Sequence, residues 1–462
     1  KGIPYNRPGD PYTQTYYRSL TFDNPYWAAE HNIFNEKTDR FFGNAFLEYS
    51  PYIADNMSLN TRYQIGADAY TSHYQDIFEY GHKGSTGEIN NYGISSQTIN
   101  SLFTMNYTWK ITDDLNFNAL IGNEFNHRNR KLYDEYGTGF NFGGWAHMSN
   151  AKIQQADESQ YQDRTVGFFG NLSLDYKGML YLNATGRQDY VSTMPRDKNF
   201  FFYPSVSLGF VLTEMEAMRD MPVLSFAKLR VSYAQVGQAG SYYDNFFAGP
   251  NYGGGFWGAT PVQYPIGGIS AYLSNNVKYD PELEPQNTSS YELGTELKFF
   301  NNRLGIDYSY SHQLVTGQIF QVPIAASTGA AALVKNAGEI QTDAHEVVLY
   351  ATPVKGQEFN WDFTVNFSVI KNEVIELADG VESIMLGGFV TPQVRAGIGT
   401  TFPVIYGSSF LRDDNGNILV YDAPGKWYHG MPQDGPPAVI GEVSPDFILG
   451  FSNRFAYKNL AL

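Results

Sequence analysis

The sequence predicts an all-β protein, a transmembrane antiparallel β-barrel with long extracellular loops and short periplasmic turns. Three observations predict it. Runs with a strand period of two follow one another along most of the chain. The connections between them alternate, short turn then long loop. No apolar stretch of about 18 residues or more is present to form a helical span; Val322 to Val334 comes nearest and is broken by Pro323, Ser327, Thr328 and Gly329. Strands that are apolar on one side and polar on the other also suit a soluble sandwich. The alternating connections favour the barrel, which puts short turns on one side of the membrane and long loops on the other.

Composition narrows the field. Of 462 residues 31 are basic and 47 acidic, a net charge of −16, which argues against a nucleic-acid surface. Cysteine is absent, which removes disulfide scaffolds and cysteine metal sites. Aromatics make up 16%, a mixture favoured by strand edges, lipid–water girdles and carbohydrate platforms.

In chain order, residues 1–37 hold four prolines and no period, and are expected to be an irregular N-terminal segment or an extracellular loop. Residues 38–462 carry the strands. Phe41 to Ser50 and Met57 to Tyr70 flank a short turn, and a long polar connection follows, Thr71 to Tyr92. Ile99 to Ile111 turns at Thr112-Asp113-Asp114 into Leu115 to Asn126, and a second long connection runs through Trp145. The hairpin Thr165 to Asp189 sets Val166, Phe168, Leu172 and Leu174 on one face and Asn171, Ser173 and Asp175 on the other. A three-residue loop, Tyr176-Lys177-Gly178 with Gly178 left-handed, places Leu174 opposite Leu180 and Asn171 opposite Asn183, so that the faces match. Phe200 to Thr213 and Ser225 to Val236 precede the longest insertion, Gly237 to Ser290. Tyr291 to Phe299 and Leu304 to Leu314 flank a tight Asn301-Asn302-Arg303 turn. Glu339 to Thr352 reads less cleanly. Asn360 to Ile370 is clear, with Trp361, Phe363, Val365 and Phe367 facing away from Asp362, Thr364 and Asn366. Val381 to Ser444 reads as another long loop region, and Phe447 to Lys458 as the last strand.

Tyr279 to Phe300, YDPELEPQNTSSYELGTELKFF, resembles the run that TonB-dependent outer-membrane transporters carry before a late barrel strand, with Gln286 where Glu is usual. Further stretches narrow the resemblance to the SusC/RagA-like branch: Asn24-Pro25-Tyr26-Trp27, Asp175-Tyr176-Lys177-Gly178, Phe226 to Arg230, Phe410 to Gly416 and Ser444-Pro445-Asp446-Phe447. The resemblance implies part of a barrel of about 22 strands closed by a plug. It also implies a SusD-like surface lipoprotein as lid and energy from the TonB complex acting on the plug. The plug and the remaining strands are expected to lie outside this chain.

Chemical motifs are few. Gly253 to Gly258 matches a dinucleotide loop literally but lacks the flanking strand and helix. Arg412 to Asn417 misses calcium-loop spacing, and its Asn415-Gly416 is a turn signal. Glu282 and Glu284 share a Pro-rich loop without a visible base or nucleophile, and the eight histidines are scattered, so no catalytic, metal or cofactor site is expected. The expected functional surfaces are two. One is the loop aromatics Trp145, Tyr252, Phe256, Trp257, Tyr264 and Trp427, which suit sugar stacking, peptide clasping, a lid interface or packing of the rim itself. The other is a lumen lined by Asn171, Asp175, Asp362, Thr364 and Asn366, a hydrated path that does not hold solute tightly. The function expected is TonB-dependent import of an oligosaccharide, or next an oligopeptide, across the outer membrane, with no covalent chemistry. A passive porin and a soluble aromatic-rich glycan-binding or glycan-cleaving protein are the alternatives.

Overall fold

The structure is a computed structural model that describes residues 4–16, 22–219, 221–241, 247–248, 268–269, 273–274 and 276–462. Two compact units divide the chain.

The first unit comprises Lys1–Ser50, Asn60–Met105 and Gly122–Gly167. A short ribbon, Asn6–Arg7 against Asp10–Gln14, precedes a helix, α1, Pro25–His31. The side chain of Asn24 caps α1 by accepting from the Tyr26 N–H at 3.0 Å, and Pro25 occupies the first turn, where its missing N–H costs nothing. Trp27 is fully buried and its indole N–H donates to the Pro11 carbonyl at 2.8 Å. The segment expected to be irregular over residues 1–37 therefore contains a capped helix, and the first long strand already begins at Ile33.

Long strands follow: β1 (Ile33–Tyr49), β2 (Met57–Phe78), β3 (Glu88–Lys110), β4 (Leu115–Phe140) and β5 (Ala151–Tyr176), hydrogen-bonded in that order. β1 keeps unbroken antiparallel register with β2 from Ile33↔Ile77 to Tyr49↔Thr61. β4 and β5 have 26 residues each, against about 9–11 needed to cross a bilayer. The polar stretches expected to be connections, Thr71 to Tyr92 and the one through Trp145, are thus largely strand. Where both faces of a ladder are wetted the apolar period disappears while the backbone pairing continues. Ile77, Ile89, Phe140 and Ala151 form a small core at the far ends of these strands.

The second unit comprises Pro51–Leu59, Asn106–Ile121 and Phe168–Leu462. Its strands continue as β6 (Leu180–Val191), β7 (Phe200–Val211), β8 (Leu224–Gln238), β9 (Gln286–Phe299) and β10 (Leu304–Thr316). A small hairpin, β11 (Ile319–Pro323) with β12 (Ala332–Asn336), interrupts them before β13 (Gly338–Lys355) and β14 (Phe359–Leu377). The expected long loop Val381 to Ser444 instead holds a separate four-stranded sheet, β15 (Ser383–Gly388), β16 (Gln393–Gly397), β17 (Val404–Phe410) and β18 (Asp434–Glu442). Its inner residues Ile384 and Ala396 pack with Phe320, Val374 and Leu377 into a core of their own. β19 (Ile448–Tyr457) and β20 (Leu460–Ala461) complete the main sheet, ordered β5-β6-β7-β8-β9-β10-β13-β14-β19-β20.

Opposed residues of an antiparallel ladder share a face, so one row can be followed across seven strands: Leu182, Leu208, Val231, Leu293, Tyr310, His345 and Val369. Leu182, Leu208, Val231 and Leu293 are exposed, forming an apolar face that the described residues leave uncovered. In the β5–β6 hairpin Gly178 is left-handed as expected (φ 62°), but Lys177 is too (φ 59°), and the Met179 N–H closes on the Tyr176 carbonyl at 3.0 Å. β5 ends at Tyr176 and β6 begins at Leu180, so the loop has three residues as expected, shifted by one to Lys177-Gly178-Met179. The faces still match, since Asn171 Nδ2 donates to Asn183 Oδ1 at 2.6 Å.

Candidate functional site

The opposite face of the second unit's sheet is polar and cross-linked. Arg230 on β8 reaches over β9: its Nη2 donates to Asp307 Oδ1 at 2.7 Å and to Ser309 Oγ at 2.5 Å on β10, while Nε lies 3.5 Å from Glu292. Gly294 makes this possible. A Cβ at that position would stand 2.3 Å from Arg230 Nε, so the glycine of the Tyr291-Glu292-Leu293-Gly294 run is the floor on which the guanidinium lies. Asn118 Nδ2 donates to Asn106 Oδ1 and Thr108 Oγ1, each at 2.9 Å, and Ser173 Oγ donates to Asn171 and Asn183, each at 3.0 Å. Arg187 and Tyr203 both hold Asp189. In the first unit Arg40 binds Asp68 with two nitrogens, at 2.9 and 2.6 Å. The charges and amides named here are paired with one another within and across neighbouring strands, so each finds its partner inside the sheet.

The expected lining residues fall as follows. Asn171 belongs to the amide ladder just described. Asp362 accepts from Thr352 Oγ1 at 2.9 Å and faces Arg454 at 3.9 Å. Thr364 and Asn366 lie on the same face by alternation, opposite Ser452 and Gly450. Asp175 has a local task as well: its Oδ1 accepts the Gly178 N–H at 2.9 Å and shapes the turn. On the apolar face Phe363 stacks with Phe451, Trp361 with Phe455, and Phe367 packs against Phe447. The network around Arg230 was not among the expected residues; a glycine inside an otherwise regular strand was its signal.

The loop aromatics divide. Tyr252, Phe256, Trp257 and Tyr264 lie outside the described residues. In the first unit Trp145 is sandwiched between Phe142 (5.8 Å) and His147 (5.0 Å), with its carbonyl held by Asn150 Nδ2. In the second unit Trp427 is 85% exposed and meets Tyr428 edge-on. Trp145 is therefore built into its loop, whereas Trp427 presents its ring to whatever approaches. Arg412 to Asn417 is a turn: Asp413 accepts from the N–H groups of Asn415 and Asn417 at 2.9 and 2.8 Å, and Gly416 has φ 84°. These bonds, with that from Asn417 Nδ2, hold the Asp413 carboxyl below the usual carboxylate range. Glu282 and Glu284 both face Lys198, and their salt bridges raise the lysine pKa.

Comparison with known proteins places these faces in context. The family model described as TonB dependent receptor-like, beta-barrel matches residues 2–431. TonB-dependent receptor P26 of Formosa agariphila is 24% identical over 449 residues, covering 91% of this chain and 44% of that protein. TonB-dependent receptor SusC of Bacteroides thetaiotaomicron is 23% identical over 496 residues, covering 99% and 47%. Among solved structures, the RagAB peptide importer in its open-open state superposes with a TM-score of 0.78 at 18% identity, over 97% of this chain and 48% of that one. The chain thus spans about half the length of the curated relatives it matches.

Proposed function

The chain belongs to the TonB-dependent receptor β-barrel family, and from that premise we propose that the protein of which it is part imports a nutrient across the Gram-negative outer membrane. An oligosaccharide is the first candidate and an oligopeptide the second. The observation that carries the reading is the two-faced sheet: an uncovered apolar face of Leu182, Leu208, Val231 and Leu293 suited to lipid, backed by the ion-paired, amide-linked face around Arg230 and Asn171. A fold neighbour titled a peptide importer supports the peptide class. Energy would come from the TonB complex through a plug. A SusD-like lipoprotein would close the mouth, and exposed Trp427 would meet either that lid or the solute.

The test is to purify the full-length protein from its native outer membrane in mild detergent and identify co-purifying polypeptides and retained small molecules by mass spectrometry. A lipoprotein with a bound glycan or peptide supports the lidded importer and names its solute class. A plugged chain carrying an iron chelate and no lipoprotein overturns it.

A further inference from the structure

β14 is paired on one side along its length but on the other side only in part. Its ladder with β19 ends at Ser368↔Ile448, and its next backbone contact on that side is at Val374, whose N–H donates to the Thr400 carbonyl at 3.0 Å and whose carbonyl accepts from Gly399 at 2.8 Å. In an antiparallel ladder alternate residues turn both backbone groups to the same side. Ile370 and Asn372 therefore direct their N–H and C=O groups to the side where Val374 finds its partners, into the gap between the two contacts, while the Asn372 side chain holds the main chain of Phe402, accepting its N–H at 2.8 Å and donating to its carbonyl at 2.7 Å. From Ser368 to Val374 the gap is about 20 Å long at about 3.3 Å per residue.

A cavity of about 1000 Å³ occupies this gap. Among the described residues its walls carry the carboxylates Asp343, Glu373, Glu442 and Asp446 against Lys371, with Val404, Val439 and Phe447 between them. Asp343 is already engaged, by Tyr310, His312 and Gln341. Thr401 lines the same cavity, and its Oγ1 is buried without a hydrogen-bond partner.

We propose that this crevice binds an extended, basic peptide segment by strand addition to β14, its backbone bonding to Ile370 and Asn372 and its cationic side chains meeting Glu373, Glu442 and Asp446. An unpaired strand edge selects an extended backbone. The acidic walls select the charge, and the apolar groups between them accommodate the uncharged alternate side chains. The inference is independent of which solute the protein imports.

The experiment uses the full-length protein in detergent and a fluorescein-labelled, acetylated pentapeptide of alternating lysine and valine. Binding measured by anisotropy should weaken at least tenfold with the Glu442→Gln/Asp446→Asn pair. It should weaken similarly when the peptide is N-methylated at the amides facing β14, and hardly at all when methylated at the intervening ones. A bromoacetylated form of the peptide should alkylate a Thr400→Cys variant and not a Trp427→Cys variant. No binding, equal binding of the glutamate–valine counterpart, or indifference to both the double variant and N-methylation would overturn the proposal. None of these results bears on the lipoprotein and solute that test the import reading.

Discussion

Asn336 and Glu284 are joined twice: the Asn336 side chain accepts the Glu284 N–H at 2.8 Å and donates to the Glu284 carbonyl at 2.8 Å, as a neighbouring strand would. The same Nδ2 also donates to the Gly317 carbonyl at 2.7 Å, and Leu283, beside Glu284, is fully buried. One side chain thus fixes an irregular, Pro-flanked loop. Asn336→Asp would set carboxylate oxygen against two carbonyls, at a cost of about 1–3 kcal/mol. Hydrogen exchange of residues 280–285 in the full-length protein should accelerate in this variant, and unchanged protection would contradict the clamp.

The two faces of β14 give a second prediction. These 462 residues contain no cysteine, so single cysteines can be placed in them against a background with any other cysteines of the full-length protein replaced. Cysteines at Phe363, Val365 and Phe367 should react with a lipid-soluble maleimide, and those at Asp362, Thr364 and Asn366 with a water-soluble one. The reverse pattern would sink the membrane orientation of the sheet.

Those same residues show what is legible in a sequence. Trp361 to Val369 alternates cleanly because one face of the strand packs aromatic and aliphatic side chains against β19 while the other is polar throughout. Where that contrast ends the period ends too, so the outer halves of β2 to β5 read as loops although their ladder continues. The apolar face itself carries His312 and Asp343, 2.8 Å apart on β10 and β13, a pair that blurs the alternation of both strands. The β15 to β18 sheet was hidden for another reason. Its core draws Phe320 from β11 and Val374 and Leu377 from β14, a long-range assembly with no local period. The Arg230 network depends likewise on three strands meeting over Gly294.

Gly294 carries the third prediction. In Gly294→Ala the new methyl displaces Arg230 and opens its bonds to Asp307 and Ser309. For a pair whose side chains are only 29% and 35% exposed the loss is about 1 kcal/mol. Adding Arg230→Ala to Gly294→Ala should cost little more, because both changes break one interaction. Urea unfolding of the full-length protein in detergent measures it; additive losses would show that Gly294 does not act through Arg230.

The Asp413 turn should respond to acid. Its carboxyl titrates below the usual range, chiefly because Asn417 donates to it from side chain and backbone. A depressed folded-state pKa stabilises the turn above the unfolded-state pKa, and that contribution disappears as pH falls through the folded value, below about pH 4. A spin label on Asp414→Cys should be ordered at pH 6 and mobile at pH 3. With Asp413→Asn added, the label should be mobile at both; order that persists at pH 3 in the parent would refute the assignment.

The tight turn between β9 and β10 holds three consecutive left-handed residues without glycine, Phe300, Asn301 and Asn302, at φ 55°, 55° and 60°. The Arg303 N–H closes it on the Phe299 carbonyl at 3.0 Å, and Phe299↔Leu304 begins the ladder. Asparagine tolerates this region because its short amide bonds locally, whereas a β-branched side chain crowds the following carbonyl by about 1–2 kcal/mol. Asn302→Gly should therefore preserve or slightly raise stability, and Asn302→Val should lower it by about that amount. Unfolding midpoints of the two variants, compared in the same detergent, decide the matter: a valine variant as stable as the glycine one would mean that the turn is free to adopt another conformation.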